Sequence, residues 1–240
     1  FNRYLQSERN FKDNDRKTWL WNTSSKKWQS ASSSTHATTK WGLITTNVGS
    51  CLDTSDGVLR PNTNGNGYIN IVHDPWRPVP AIGGHLSPEP GNVDRKAVDM
   101  RSDVAIFTSP KIQHPLHLEG IPKLKVMAEA DKDGFDLCVA LSIVNKNKSQ
   151  VLQISTGTLR VRGNQARVPS QREVTLQPIL IEIAKGESLR LSLSGSSWPA
   201  IGINPGQTNQ PCRAPGPECN VITIDLELTN SNFQFLPLLS

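Results

Sequence analysis

Long apolar runs are missing from this 240-residue chain. Nothing approaches the roughly 18 apolar residues that a membrane-spanning helix needs, so no membrane partner is expected. No basic stretch followed by an apolar one opens the chain, and no signal peptide is read there. The strand-to-helix turn G-x-S-x-G, which carries a nucleophilic serine, is absent. The nearest approach, Gly195-Ser196-Ser197-Trp198-Pro199, fails at its last glycine, and no helical pattern follows it. H-E-x-x-H is absent as well. The four cysteines, Cys51, Cys138, Cys212 and Cys219, form no C-x-x-C pair, which argues against a zinc ribbon. There are only two methionines, Met100 and Met127, and the chain opens on Phe1, so it is expected to be processed or cut from something larger. After residue 6 no 3.6-residue apolar period appears, and long helices are excluded.

The formal net charge is +5. The basic residues are dispersed, and their densest clusters are short: Lys26 with Lys27, and Lys146 with Lys148. A nucleic-acid footprint gathers charge on one face, often beside stacking aromatics, so nucleic acid is not an expected partner. None of the five histidines, His36, His73, His85, His114 and His117, lies in a catalytic motif. His114 and His117 would present a metal pair on a helix, but Pro115 and the strand-like context remove that geometry. Asp131, Asp133 and Asp136 outline a superficial calcium loop without its closing glutamate. They read instead as a turn between strands whose carboxylates bond local N–H groups. No metal, cofactor or catalytic residue is therefore assigned to this chain. Cys138 lies in an apolar pattern and reads as a small buried hydrophobe. Cys212 and Cys219 bracket a Pro/Gly-rich loop; in an oxidising compartment they could close a disulfide, and two free thiols are the alternative.

What the sequence does hold is a succession of strand patterns. Arg16 to Trp28 reads as an aromatic-rich hairpin turning at Asn22 to Ser25. Its Trp19, Trp21 and Trp28 suit core or interface packing more than sugar stacking. Further strands are expected over Lys40–Thr46, Gly57–Leu59, Tyr68–His73, Val104–Phe107, Leu116–Leu118, Lys123–Ala130, Phe135–Val144, Val151–Ile154, Thr158–Val161, Glu173–Leu176, Ile179–Ala184, Ser188–Ser194 and Val221–Leu228. Ser188–Ser194 alternates leucine with serine and arginine, the mark of a strand with one buried face. Turn signals separate the runs at the spacing of a sandwich or barrel. The expected fold is all-β, two packed antiparallel sheets, with jelly-roll topology. Between two strand patterns lies a long Pro/Gly-rich segment, Asp74 to Gly91, whose prolines exclude a central strand or helix. Segments of this length commonly carry function or pack a neighbour.

That segment carries a resemblance. It reads Asp74-Pro75-Trp76-Arg77-Pro78-Val79-Pro80-Ala81-Ile82-Gly83-Gly84, followed by Gly91, Asp94 and Arg101-Ser102-Asp103-Val104. Downstream, in order, stand Thr108-Ser109-Pro110, the turn Asp133 to Asp136, Gly157-Thr158-Leu159-Arg160, Gly186 to Leu191, Ser194 to Pro199, Asn204-Pro205-Gly206 and Leu236-Pro237-Leu238. The run resembles the C-terminal, non-catalytic domain of the X-Pro dipeptidyl-peptidase, cocaine-esterase and α-amino-acid ester hydrolase family, over essentially all of 16–240. Phe1 to Leu5 is similar to the helix with which that family's α/β-hydrolase domain ends, which makes 1–15 the remnant of an upstream domain and linker. Two features depart from the pattern: Asn145 to Ser149 lacks the family's P-D-G turn, and the Cys212–Cys219 loop is an insertion.

The resemblance implies a galactose-binding-like jelly roll fused to a serine hydrolase of esters or Xaa-Pro peptides. The Ser, Asp and His of its triad belong to the upstream α/β-hydrolase domain, and none maps into this chain. The sandwich is expected to dock on that domain and help wall its acyl pocket, through Asp74, Pro75, Trp76, Arg77, Pro78, Pro80, Gly83 and Gly84. Homo-oligomerisation is left open. The competing expectation is a free-standing sandwich that binds carbohydrate or another ligand, with a concave aromatic face in place of an exposed docking patch.

Overall fold

The computed structural model of the chain describes residues 18–31, 39–50, 57–87, 89–209, 214 and 216–238. The expected helical segment at Phe1–Gln6, together with His36, Cys51 and Cys212, lies outside the described residues. Among the described residues the chain forms thirteen strands, one short helix, α1 (Lys96–Asp99), and one 3-10 turn (Asn164–Arg167).

One half of the sandwich is built on β7 (Leu116–Ala130) and β13 (Ile222–Leu236), which pair antiparallel. β5 (Asn66–His73) lies beyond β13, and β3 (Trp41–Ser50) beyond β5. On its other side β7 pairs with β11 (Ile179–Ile183) along its first part and with β10 (Ser170–Thr175) along its last. The other half runs β4 (Val58–Pro61), β6 (Val104–Thr108), β12 (Ser188–Ser194), β8 (Gly134–Val144), β9 (Val151–Arg162). The β3–β4 pair, with Trp41 opposite Pro61 and Leu43 opposite Leu59, joins the halves. A hairpin, β1 (Trp19–Asn22) and β2 (Lys27–Ser30), is attached at the far end by one parallel bridge, Asn22 to Leu180.

Alternation along the strands assembles the core. Leu189, Leu191 and Leu193 of β12 meet Phe135, Leu137, Val139 and Leu141 of β8, Phe107 of β6, and Leu124, Val126, Ile224, Leu226 and Phe233 from the opposite half, in one contiguous cluster. Each fully buried leucine or phenylalanine contributes about 1.5–3 kcal/mol relative to exposure. The chain is thus an all-β sandwich, but its sheet is mixed rather than antiparallel as expected, because β3 pairs parallel with β5 and β4 with β6.

β8 is buried on both faces. Its outward residues, Asp136, Cys138, Ala140 and Ser142, are small or polar: residues 79–83 and 196–201 face Cys138 and Ala140 across a cleft, and Asn204 bonds Asp136. That covering is the structural role of the long Pro/Gly-rich segment. The same segment also bonds the outer edge of β9: Arg95 N donates to Val151 O (2.7 Å) and Gln153 N to Val93 O (2.9 Å).

Two pairs of expected strands prove to be single ones. β7 passes unbroken through Gly120 and Pro122. Pro122 is tolerated because its carbonyl accepts from Leu176 N (2.9 Å) on the side where β10 gives way to β11, so its missing N–H faces a gap in the ladder. β9 likewise runs from Val151 to Arg162. β13 extends eight residues past Leu228, through a register shift at Glu227/Asn232 where Asn230 takes φ 60°.

Candidate functional site

β5 delivers the chain into a tight turn. The Asp74 carboxylate accepts from Trp76 N (2.9 Å) and the Asp74 carbonyl from Arg77 N (3.1 Å). This Asx-type turn buries Pro75 and turns Trp76 outward, where it stays 60% exposed. Arg101 braces the turn: Nη2 donates to the Arg77 carbonyl (2.6 Å), while Nε and Nη2 both bind Asp103 (2.7 and 2.6 Å). Donating to the Asp103 carboxylate holds the Arg101 guanidinium above its ordinary pKa.

The next residues are stitched to the chain leaving β12. Val79 N donates to Ser196 Oγ (2.9 Å), Trp198 N to Val79 O (2.9 Å) and Ala81 N to Trp198 O (2.6 Å). Val79 packs with Val98 and Val104 in a small second core, joined by Ile82 and Ile106. Gly83 and Gly84 adopt φ 56° and 72°, a left-handed conformation that only glycine enters freely. A Cβ on Gly83 would stand 2.5 Å from the Gly91 carbonyl. Gly84 and Gly91 exchange backbone hydrogen bonds (2.8 and 3.1 Å) and close a small loop that displays His85 and the 55%-exposed Leu86. The structure therefore places Asp74, Pro75, Trp76, Arg77, Pro78, Pro80, Gly83 and Gly84 on one braced segment.

A buried polar layer lies beneath. Asp99 accepts from Arg95 Nε (2.8 Å), Ser192 Oγ (2.8 Å) and Arg190 Nη1 (3.2 Å). Arg95 Nη1 donates to Gln153 Oε1 (2.8 Å), whose Nε2 donates to Ile82 O (2.6 Å). Burial pulls the Arg95 guanidinium below its ordinary pKa, and Asp99 works against that shift. Nothing in the sequence singled out Arg95, Asp99 or Leu86. The available signal was the run of serine and arginine opposite the leucines of β12, which reads as a solvent face until another segment covers it. Between this layer, residues 79–87 and residues 196–201 lies a cleft of about 230 Å³.

The remaining sequence candidates are scattered. His73 is buried, its Nε2 has no hydrogen-bond partner, and burial lowers its pKa despite Asp136, Asp103 and Asp74. His85 contacts Gln177 (3.4 Å), and His117 faces Glu119 at 3.7 Å. Among the described residues no hydrogen bond joins a histidine to a serine hydroxyl. Among the described residues no group of three or more His, Cys, Asp or Glu side chains could hold a metal ion. In the Asp131–Asp136 turn the carboxylates serve the fold: Asp136 accepts from Arg160 Nε (2.9 Å) and Nη2 (2.7 Å) and from Asn204 Nδ2 (3.0 Å), and Asp131 accepts from Thr223 N (2.8 Å). Cys219 is buried, and its suggested partner Cys212 lies outside the described residues. Trp19, Trp21 and Trp28 are 52%, 46% and 64% exposed, so a core role is excluded for them. Trp21 and Trp28 meet edge to face at 5.7 Å.

Residues 9–232 match the family model described as the X-Pro dipeptidyl-peptidase C-terminal non-catalytic domain. No curated protein matches the chain in sequence. Among solved structures, an alpha-amino acid ester hydrolase superposes with a TM-score of 0.71 at 18% identity, over 99% of this chain and 43% of its own. An aminopeptidase from the marine sediment archaeon Thaumarchaeota archaeon gives 0.69 at 16% identity, over 91% of this chain and 40% of its own. A CocE/NonD family hydrolase from Staphylococcus aureus gives 0.57 at 15% identity, over 95% and 43%. At these identities the likeness is one of fold, and the chain spans only 40–43% of the length of these proteins.

Proposed function

Because the chain belongs to the family of the X-Pro dipeptidyl-peptidase C-terminal non-catalytic domain, we propose that it is the accessory β-sandwich of a serine hydrolase acting on esters or Xaa-Pro dipeptides. Residues 16–240 form the sandwich, and 1–15 are the end of an upstream α/β-hydrolase domain and its linker. That domain carries the catalytic triad. The sandwich docks on it and helps wall its acyl pocket.

The observation that carries the docking role is Trp76. A tryptophan 60% exposed on a segment fixed by Arg101 on one side and Ser196–Trp198 on the other is an anchor without a pocket. Tryptophan and arginine, here Trp76 and Arg77, are the residue types that dominate interface hot spots. Pro75, Pro78 and Pro80 reduce the entropy lost on ordering the segment, and Gly83 and Gly84 let the backbone approach a partner closely. Leu86, further along the segment, is also exposed.

The test compares this chain with the full-length protein on p-nitrophenyl acetate and alanyl-prolyl p-nitroanilide. Turnover by the full-length protein alone, lowered by Trp76→Ala while the isolated chain's stability stays within about 0.5 kcal/mol, is the expected result. Saturable turnover by the isolated chain, abolished by a serine-directed inhibitor, would overturn the non-catalytic assignment. Full-length Trp76→Ala with unchanged activity and unchanged domain association would overturn the docking role.

A further inference from the structure

The cleft of about 230 Å³ lies between residues 79–87 and the outer face of β8 and β9. Its floor is Cys138, Ala140, Thr156 and Thr158, and its inner end is Ser194, Ser196 and Arg95. Several of its donors have no acceptor within the described protein. Arg95 spends Nε on Asp99 and Nη1 on Gln153, and its Nη2 makes no hydrogen bond among the described residues. Ser196 Oγ accepts from Val79 N, so its own hydrogen lacks an acceptor there. The Thr158 hydroxyl has only the Cys138 sulfur, at 3.8 Å. Three backbone acceptors of the wall are already engaged: Val79 O by Trp198 N, Ile82 O by Gln153 Nε2 and Ser196 O by Ser194 Oγ.

Charge points the same way. No aspartate or glutamate lines the cleft. Asp99 behind it is shared between Arg95 and Arg190, which leaves that buried cluster with one net positive charge. Burial pushes the Cys138 thiol up to about 12, so it stays protonated and adds no negative charge to the floor. Arg95 Nη2 is not sealed from solvent and offers its N–H into the cleft, where a charged acceptor makes the stronger bond.

We propose that this cleft is a binding site for a small organic carboxylate, held by Arg95 Nη2 and the hydroxyls of Ser196 and Thr158. Its volume falls below the ~300 Å³ at which pockets for drug-sized ligands begin, which limits the ligand to a short acyl or hydroxy-acid anion. The site belongs to the sandwich alone and does not depend on the docking role of Trp76.

Calorimetric titration of the isolated chain with sodium propionate and with sodium L-lactate, ionic strength being held with sodium chloride, tests it. Saturable one-to-one binding with a Kd in the millimolar range or tighter (about −4 kcal/mol at 1 mM) is expected, together with no binding of glycerol or propionamide. Thr158→Val keeps the shape of the side chain and removes only the hydroxyl; it should weaken binding about tenfold with little change in melting temperature. Arg95→Lys tests the guanidinium, and its fold is checked by circular dichroism before titration. Absence of saturable binding to the wild-type chain would overturn the proposal. So would equal affinity for propionamide, or carboxylate binding that Thr158→Val and a folded Arg95→Lys both leave unchanged.

Discussion

Asp99 holds two arginines and a serine under a segment that excludes water, and its side chain is 2% exposed. Asp99→Asn keeps the shape but leaves Arg95 and Arg190 without a counter-charge. Breaking a buried pair in this way costs about 3–5 kcal/mol, which urea denaturation should register as a lower midpoint; a loss under about 1 kcal/mol would show that the layer is wetter than its burial implies. His73 supplies a pH dependence. Its folded pKa lies below the ordinary 6.5 because burial disfavours the imidazolium. The unfolded chain therefore takes up a proton first as pH falls, so this contribution to stability is intact above about 6.5 and is lost between there and the lowered folded value. His73→Gln should flatten the stability profile in that window, as measured by denaturant midpoints at successive pH values. None of these residues stood out in the sequence. A charge alternating with leucines reads as solvent-facing, and only the crossing of residues 79–101 over β12 reverses that meaning.

At the level of elements, legibility tracked alternation. Ser188–Ser194 was bounded correctly because its period of two has no interruption. β7 was split in the sequence because Gly120 and Pro122 are breaker residues, and what rescues them, the junction of β10 and β11, lies more than fifty residues away in the chain. The Asp74–Gly84 segment was legible only as a motif, since neither period nor propensity describes a chain braced by another loop. Gly157 marks a similar long-range constraint: a Cβ there would lie 2.3 Å from the Thr175 carbonyl. Gly157→Ala should force β9 away from the end of β10 and cost about 1–3 kcal/mol, read as a lower melting temperature. An unchanged melting temperature would mean that the two backbones separate freely.

Over the whole molecule, the tryptophans divide by environment. Trp41 is 4% exposed in the core, while Trp19, Trp21, Trp28 and Trp76 are all at least 46% exposed. Iodide should therefore quench most of the indole emission of the isolated chain. In the full-length protein, comparison of wild type with Trp76→Phe should show that the Trp76 component is shielded. If Trp76 remains as accessible there as in the isolated chain, it does not lie in an interface.

Residues 93–95 lie along the outer edge of β9, where they occupy backbone donors and acceptors that an unpaired strand would offer to any passing chain. The segment that carries Trp76 is thereby continuous with a guard against templated strand addition. Proteolytic nicking within 85–90 that loosens this guard would free an edge of β9, and the nicked protein should seed intermolecular sheet and bind thioflavin, whereas the intact chain should not.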